Sequence, residues 1–272
     1  MKFACAILLL LTVGNVSATK PAQAAAPPLV LDGIGTSFKF SCLHFVTVFE
    51  WCDEVAQSQL LTTSKGNDVV MLIVECGDGN RPCTNTPTII DGSGLSFTQR
   101  LSYSFNGGKI WEYYAIATSP LRSDNITVAY SCSESGNPLA SCGGDSLPIL
   151  ALAIHGANTR AIFDQSSSIP STCSFPACGN CEANGFGTCS VSIETSTLDF
   201  IIAITAINDA PSCGGFPVVV PGFVNIATDD QLFEVDYAIT TTSQSNVTFN
   251  CNGTDAIAIV VDAISFRGAF GI

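Results

Sequence analysis

Residues 107–131, GGKIWEYYAIATSPLRSDNITVAYS, decide how the chain is to be read. From 110 to 118 the run is aromatic and β-branched. An extended backbone puts Trp111, Tyr113, Ala115 and Ala117 on one side and Ile110, Tyr114 and Ile116 on the other. Ser119-Pro120 and Ser123-Asp124-Asn125 supply turn residues, after which Ile126, Val128 and Tyr130 alternate with Thr127, Ala129 and Ser131. Two period-two runs around turn residues predict a pair of antiparallel strands, a hairpin.

The same reading extends outward in both directions. Residues 37–48, 147–154, 190–196, 199–207, 223–227, 232–241, 246–251 and 256–266 read as strands, and 95–105 as a strand pair or one bent strand. Residues 69–74, VVMLIV, form a solid apolar run bounded by turn residues and read as a strand buried at the centre of a sheet. Residues 50–61 fit neither period cleanly and read as irregular chain or a single helical turn. Many short strands and no long helix predict an all-β class, a two-layer antiparallel β-sandwich, jelly-roll-like, with disulfide-stapled loops. LLTTSKGNDVVMLIV (60–74) and SIETSTLDFIIAIT (192–205) echo one another, and read as two similar sheet elements rather than a tandem repeat.

The amino terminus carries Lys2, an apolar run and Val16-Ser17-Ala18, the pattern of a secretory signal over residues 1–18. That run is too short for a membrane-spanning helix, and no later stretch reads as one. A Pro/Ala-rich leader follows over 19–34, extended because Pro21, Pro27 and Pro28 disfavour helix. Residues 35–272 then read as one sandwich domain with a cysteine-rich loop insertion at 159–189. The formal charge is −13, which disfavours nucleic acid and anionic lipid as partners.

Of thirteen cysteines, Cys5 lies in the signal. The other twelve, Cys42, Cys52, Cys76, Cys83, Cys132, Cys142, Cys173, Cys178, Cys181, Cys189, Cys213 and Cys251, are disulfide candidates in an exported chain. Cys76 with Cys83, and Cys132 with Cys142, suggest local bridges. Four of them, spaced C-x4-C-x2-C-x7-C from Cys173 to Cys189, also match a zinc site in spacing, but an oxidising exterior favours disulfides. Asn125, Asn246 and Asn252 head N-x-Thr sequons and are glycosylation candidates.

No catalytic residue is assigned. His44 and His155, the only histidines, border apolar strands and read as ordinary strand-end residues. Glu112, Asp124, Glu194, Asp199 and Asp262 lie in or beside strands, where paired carboxylates serve glycosidases; no spacing selects a pair, and solvent-facing or strand-end roles are expected. Asp78, Asp91, Asn158 and Asp164 place oxygen ligands in loops and are weak candidates for a structural calcium, the cofactor such loops accommodate.

Gly144-Asp145-Ser146-Leu147 resembles the nucleophile signature of GDSL esterases and lipases. That family places the serine near the mature amino terminus of an α/β fold with a C-terminal Asp-x-x-His; this sequence has neither. More of the chain, through GLSFTQRLSY (94–103), residues 110–131, AIHGANTRAIFD (153–164), LDFIIAIT (198–205) and AIVVDAISF (258–266), resembles uncharacterised exported β-sandwich proteins of archaea and bacteria. It is distantly similar to surface-filament subunits, in which an N-terminal strand of one subunit completes the next. The resemblance implies a non-enzymatic secreted or cell-surface structural subunit or binding module, with self-assembly or a surface glycan or protein as partner. The alternative is a carbohydrate-binding or carbohydrate-active protein using loop carboxylates.

Overall fold

The computed structural model describes residues 28–46, 51–77, 85–105, 108–131, 147–174, 188–196, 198–207, 222–229, 233–252 and 256–268. The described residues form sixteen strands and no helix. In chain order these are β1 (Val30–Ile34), β2 (Thr36–Val46), β3 (Trp51–Leu61), β4 (Asp68–Gly77), β5 (Thr88–Asp91), β6 (Thr98–Phe105), β7 (Gly108–Ala117) and β8 (Asp124–Ser131). There follow β9 (Ile149–His155), β10 (Ser171–Ser174), β11 (Thr188–Thr195), β12 (Asp199–Ile207), β13 (Val224–Asp229), β14 (Phe233–Ile239), β15 (Gln244–Asn252) and β16 (Ala256–Ser265).

The two-layer, jelly-roll-like sandwich expected from the sequence is not what forms. The strands make four sheets: β2-β3-β8-β5, β1-β9-β4-β7-β6, β10-β16-β12-β14-β13, and β11-β15. Three apolar clusters show how they stack. Val70, Leu72 and Val74 of β4 pack with Val55, Ile126 and Val128 of the β2-β3-β8-β5 sheet. On the opposite face of β4, Val69, Met71 and Ile73 pack with Phe200, Ile202 and Ile204 of β12. The far face of β12, Ile201 and Ala203, packs with Val191, Ile193, Val247 and Phe249 of the β11-β15 sheet. Four layers result, and the two inner sheets are covered on both faces.

The predicted hairpin is also corrected. β7 and β8 are both strands, and the two faces of β7 divide as expected, Trp111 and Tyr113 to one cluster and Ile110 to the other. They do not pair with each other. β7 lies between β4 and β6, β8 between β3 and β5, and the segment between them crosses from one sheet to the next, entering β8 through Ser123 at φ 49°. Residues 50–61, read as irregular, contain β3, whose alternating Val55, Gln59 and Leu61 are buried. Part of the extended leader becomes β1, paired with β9.

The stack is built twice from one plan. The order β1-β9-β4-β7-β6 recurs as β10-β16-β12-β14-β13. Val69 stands opposite Ile154 and Ile116, as Phe200 stands opposite Ile264 and Ile239. This register matches Asp68 to Asp199, Met71 to Ile202 and Tyr114 to Tyr237. Leu31 opposite Ile154 corresponds to Phe163 bridging Ile264, which matches Asp32 to Asp164. The echo in the sequence therefore marks equivalent positions of a repeated strand arrangement, and is wider than two similar elements.

No two described cysteines lie at bonding distance from each other, so the expected disulfide-stapled loops are not the frame of the described fold. Cys42, Cys76, Cys173, Cys189 and Cys251 are each disulfide-bonded, but none of them to another described cysteine. The side chain of Cys52, and Cys83, Cys132, Cys142, Cys178, Cys181 and Cys213 entirely, lie outside the described residues. Sheet pairing and apolar burial frame what is described.

One polar side chain extends the β-ladder. The buried Gln59 donates from Nε2 to the Ile149 carbonyl at 2.6 Å, and its Oε1 accepts from the Ala151 amide at 2.8 Å. It takes over on β9 where β1 has ended, and a Cβ at Gly35 would collide with its amide. Gln59→Leu strands two buried backbone groups. The expected loss is about 1–3 kcal/mol for each group left unpaired, read by urea denaturation.

Candidate functional site

Carboxyl groups cluster where the turns meet the inner sheets. Asp32 on β1 accepts from the amides of Ser64 and Lys65, each at 2.8 Å, and from the Ser64 hydroxyl. Asp164 accepts from the amides of Ser166 and Ser196 and from the Ser196 hydroxyl, at 2.6, 2.8 and 2.8 Å. Each aspartate thus ties down the turn into the first inner strand of its repeat, β4 or β12. Burial opposes ionisation at both, yet these donated hydrogen bonds hold both carboxyls below their ordinary value.

Asp68, at the head of β4, is buried beside Asp32, and its Oδ1 lies 2.8 Å from His155 Nδ1. Burial raises the Asp68 carboxyl above its ordinary value, against the pull of His155 and with help from the charge on Asp32. Ser64 gives its proton to Asp32 rather than to the imidazole, so serine, histidine and aspartate are not in relay order for a nucleophile. The arrangement anchors turns.

The innermost layer holds a second cluster. Arg100 on β6 reaches between the inner sheets and donates from Nε and Nη2 to the two oxygens of Asp262 on β16, at 2.8 and 3.2 Å. Its guanidinium also sits 4.0 Å from the centroid of the Phe163 ring. Glu112 on β7 is wholly buried beside Asp262, and neither of its oxygens meets a donor at hydrogen-bonding geometry. Burial first, and the Asp262 charge second, push Glu112 well above the usual carboxylate range.

Two further pairs share the pattern. On β14, Glu234 and Asp236 are buried, and burial followed by the Glu234 charge raises Asp236 to about 8. Near the end of β5, Ser93 donates to Asp91 and Asp124, and burial together with the neighbouring Asp91 raises Asp124. The expectation that such acids face solvent or sit at strand ends fails for Glu112 and Asp262, which are mid-strand and fully buried. Sequence reading missed Arg100, Glu234 and Asp236. For the two acids the signal was charge inside an otherwise apolar strand, FEVDYAI; Arg100 sits in the mixed strand TQRLSYSF, where a charge is unremarkable.

The remaining candidates are dispersed. Asn158 accepts through Oδ1 from the amides of Arg160 and Ala161, capping a turn, and Asp91 accepts from the Leu95 amide. Asn158 and Asp164, grouped as calcium ligands from sequence, thus each bind backbone donors. Among the described residues no three His, Cys, Asp or Glu side chains group to hold a metal ion. Glu194 is exposed, while Asp199 is buried at the head of β12. Asp78, Ser146 and the side chains of His44 and Asn252 lie outside the described residues. No helix among the described residues is long and apolar enough to cross a membrane. No family model matches the chain, and neither a curated protein nor a solved structure matches it.

Proposed function

We propose that the protein acts outside the cell as a non-enzymatic structural subunit or binding module that presents two like faces pointing apart. The observation that carries this reading is a surface pattern made twice. On one outer sheet Ser58 of β3 and Thr127 of β8 join hydroxyls at 2.8 Å; on the other, Ser192 of β11 and Thr248 of β15 do the same at 2.8 Å. Four stacked layers hold these faces at opposite ends of the stack. Two like faces on one body bring two like partners together, and linked contacts gain avidity without new chemistry. The secretory pattern at residues 1–18 and the net negative charge fit an exterior setting. The full chain recovered from culture medium, measured by native mass spectrometry and sedimentation, is expected to form ladders of subunits or to cross-link a surface ligand at two ligands per chain. Sustained turnover of a glycoside or ester substrate by the purified protein would sink this reading.

A further inference from the structure

We infer that Asn125 and Asn246 carry N-linked oligosaccharides, one on each outer face of the stack. The inference rests on the exterior setting proposed above. Asn125-Ile126-Thr127 lies on β8 and Asn246-Val247-Thr248 on β15, and the repeated plan makes these strands counterparts. In each sequon the middle residue, Ile126 or Val247, points into an apolar cluster, so the asparagine and threonine face outward. Both asparagines are exposed. In each, the threonine hydroxyl is hydrogen-bonded to the asparagine side chain at 3.3 Å and to the serine of the neighbouring strand at 2.8 Å. A glycan added as the chain enters the secretory compartment must be accommodated once the strand pairs, and an asparagine on a buried face could not be. Two sequons at matching outward positions of a repeated structure satisfy that requirement twice.

The co-substrate is a polyprenyl-diphosphate-linked oligosaccharide. The side-chain amide nitrogen attacks the anomeric carbon, the N–C1 bond forms, and the C1–O bond to diphosphate breaks. The diphosphate leaves with that electron pair, and the amide proton passes to the transferase. No oxidant or reductant is needed.

The test is translation of the full-length chain in the presence of microsomes that supply this donor, followed by protease treatment and endoglycosidase digestion. The expected result is a protease-protected chain that falls in mass on digestion, with Asn125→Gln and Asn246→Gln each losing one glycan-sized step. The double variant loses two steps, whatever Asn252 carries. Variants with the same mass as the parent, in a protected chain, overturn this inference and leave the exterior setting standing; so does loss of a step at only one of the two positions. A chain left outside the vesicles and open to protease overturns both.

Discussion

Lowering the pH from about 8 to about 5 is expected to raise the melting temperature. Asp236 titrates at about 8 in the fold and near the ordinary carboxylate value of about 4 in the unfolded chain. Between those values the native state keeps a proton that the unfolded state has released, so stability falls as pH rises. Its contribution is complete below the unfolded value and lost as pH climbs through the folded one. Glu112, raised first by burial and then by Asp262, acts in the same direction, with Arg100 as the one cation facing it among the described residues. Each such group steepens the loss by up to about 1.4 kcal/mol per pH unit.

Asp32 and Asp164 act oppositely. Their folded values are depressed, so their contribution is present above the ordinary carboxylate value and disappears as pH falls through the folded one. The stability maximum therefore belongs in mild acid, between these two windows. Thermal melts followed by circular dichroism should show it. Glu112→Gln and Asp236→Asn should each flatten the slope on the alkaline side, while Glu194→Gln, at an exposed residue, should not. The surface charge of the chain pulls the same way, and this last variant separates the two causes. A melting temperature that climbs from pH 5 to 8 would refute the account.

Arg100→Met is expected to cost about 3–5 kcal/mol. The side chain of Asp262 is fully buried, and removing the guanidinium leaves its charge uncompensated in the middle layer. Removing both charges should be far milder, because a buried pair gains little over well-packed apolar residues. Asp262→Leu is the natural partner change: Leu152 occupies the equivalent place in the first repeat, opposite Met71 as Asp262 is opposite Ile202. Urea denaturation of the two single variants and the double should close a cycle with a strongly favourable coupling. A single-variant cost below about 1 kcal/mol, the range of exposed ion pairs, would show that the pair is not shielded as described.

Strand content was legible because period-two alternation and turn residues are local signals. β4, β9, β12 and β16 fell where their apolar runs placed them. The number of layers was legible too, in a form easily passed over. A sheet with one wet face alternates apolar and polar residues, yet 69–74 and 200–204 are solidly apolar on both sides of the strand. Such runs require cover on both faces, and two layers cannot give that to two sheets. Which strands pair was not legible: β7 and β8 are adjacent in sequence with turn residues between them, and nothing local distinguishes a hairpin from a crossover. The buried carboxyls were visible as letters, but only the fold shows that Glu112 and Asp262, far apart in the chain, meet across an interface.

The two inner sheets meet through the same face, that of Val69, Met71 and Ile73 against that of Phe200, Ile202 and Ile204. Such a self-matching contact is how separate identical subunits associate around a twofold axis. In a symmetric pair every residue at the contact occurs on both sides, so any contact made off the axis is made twice. Joining the halves in one polypeptide lifts that restriction. Glu112 has Val235 as its counterpart, and Asp262 has Leu152, so this interior can hold a single lopsided ionic contact that no symmetric dimer could present once.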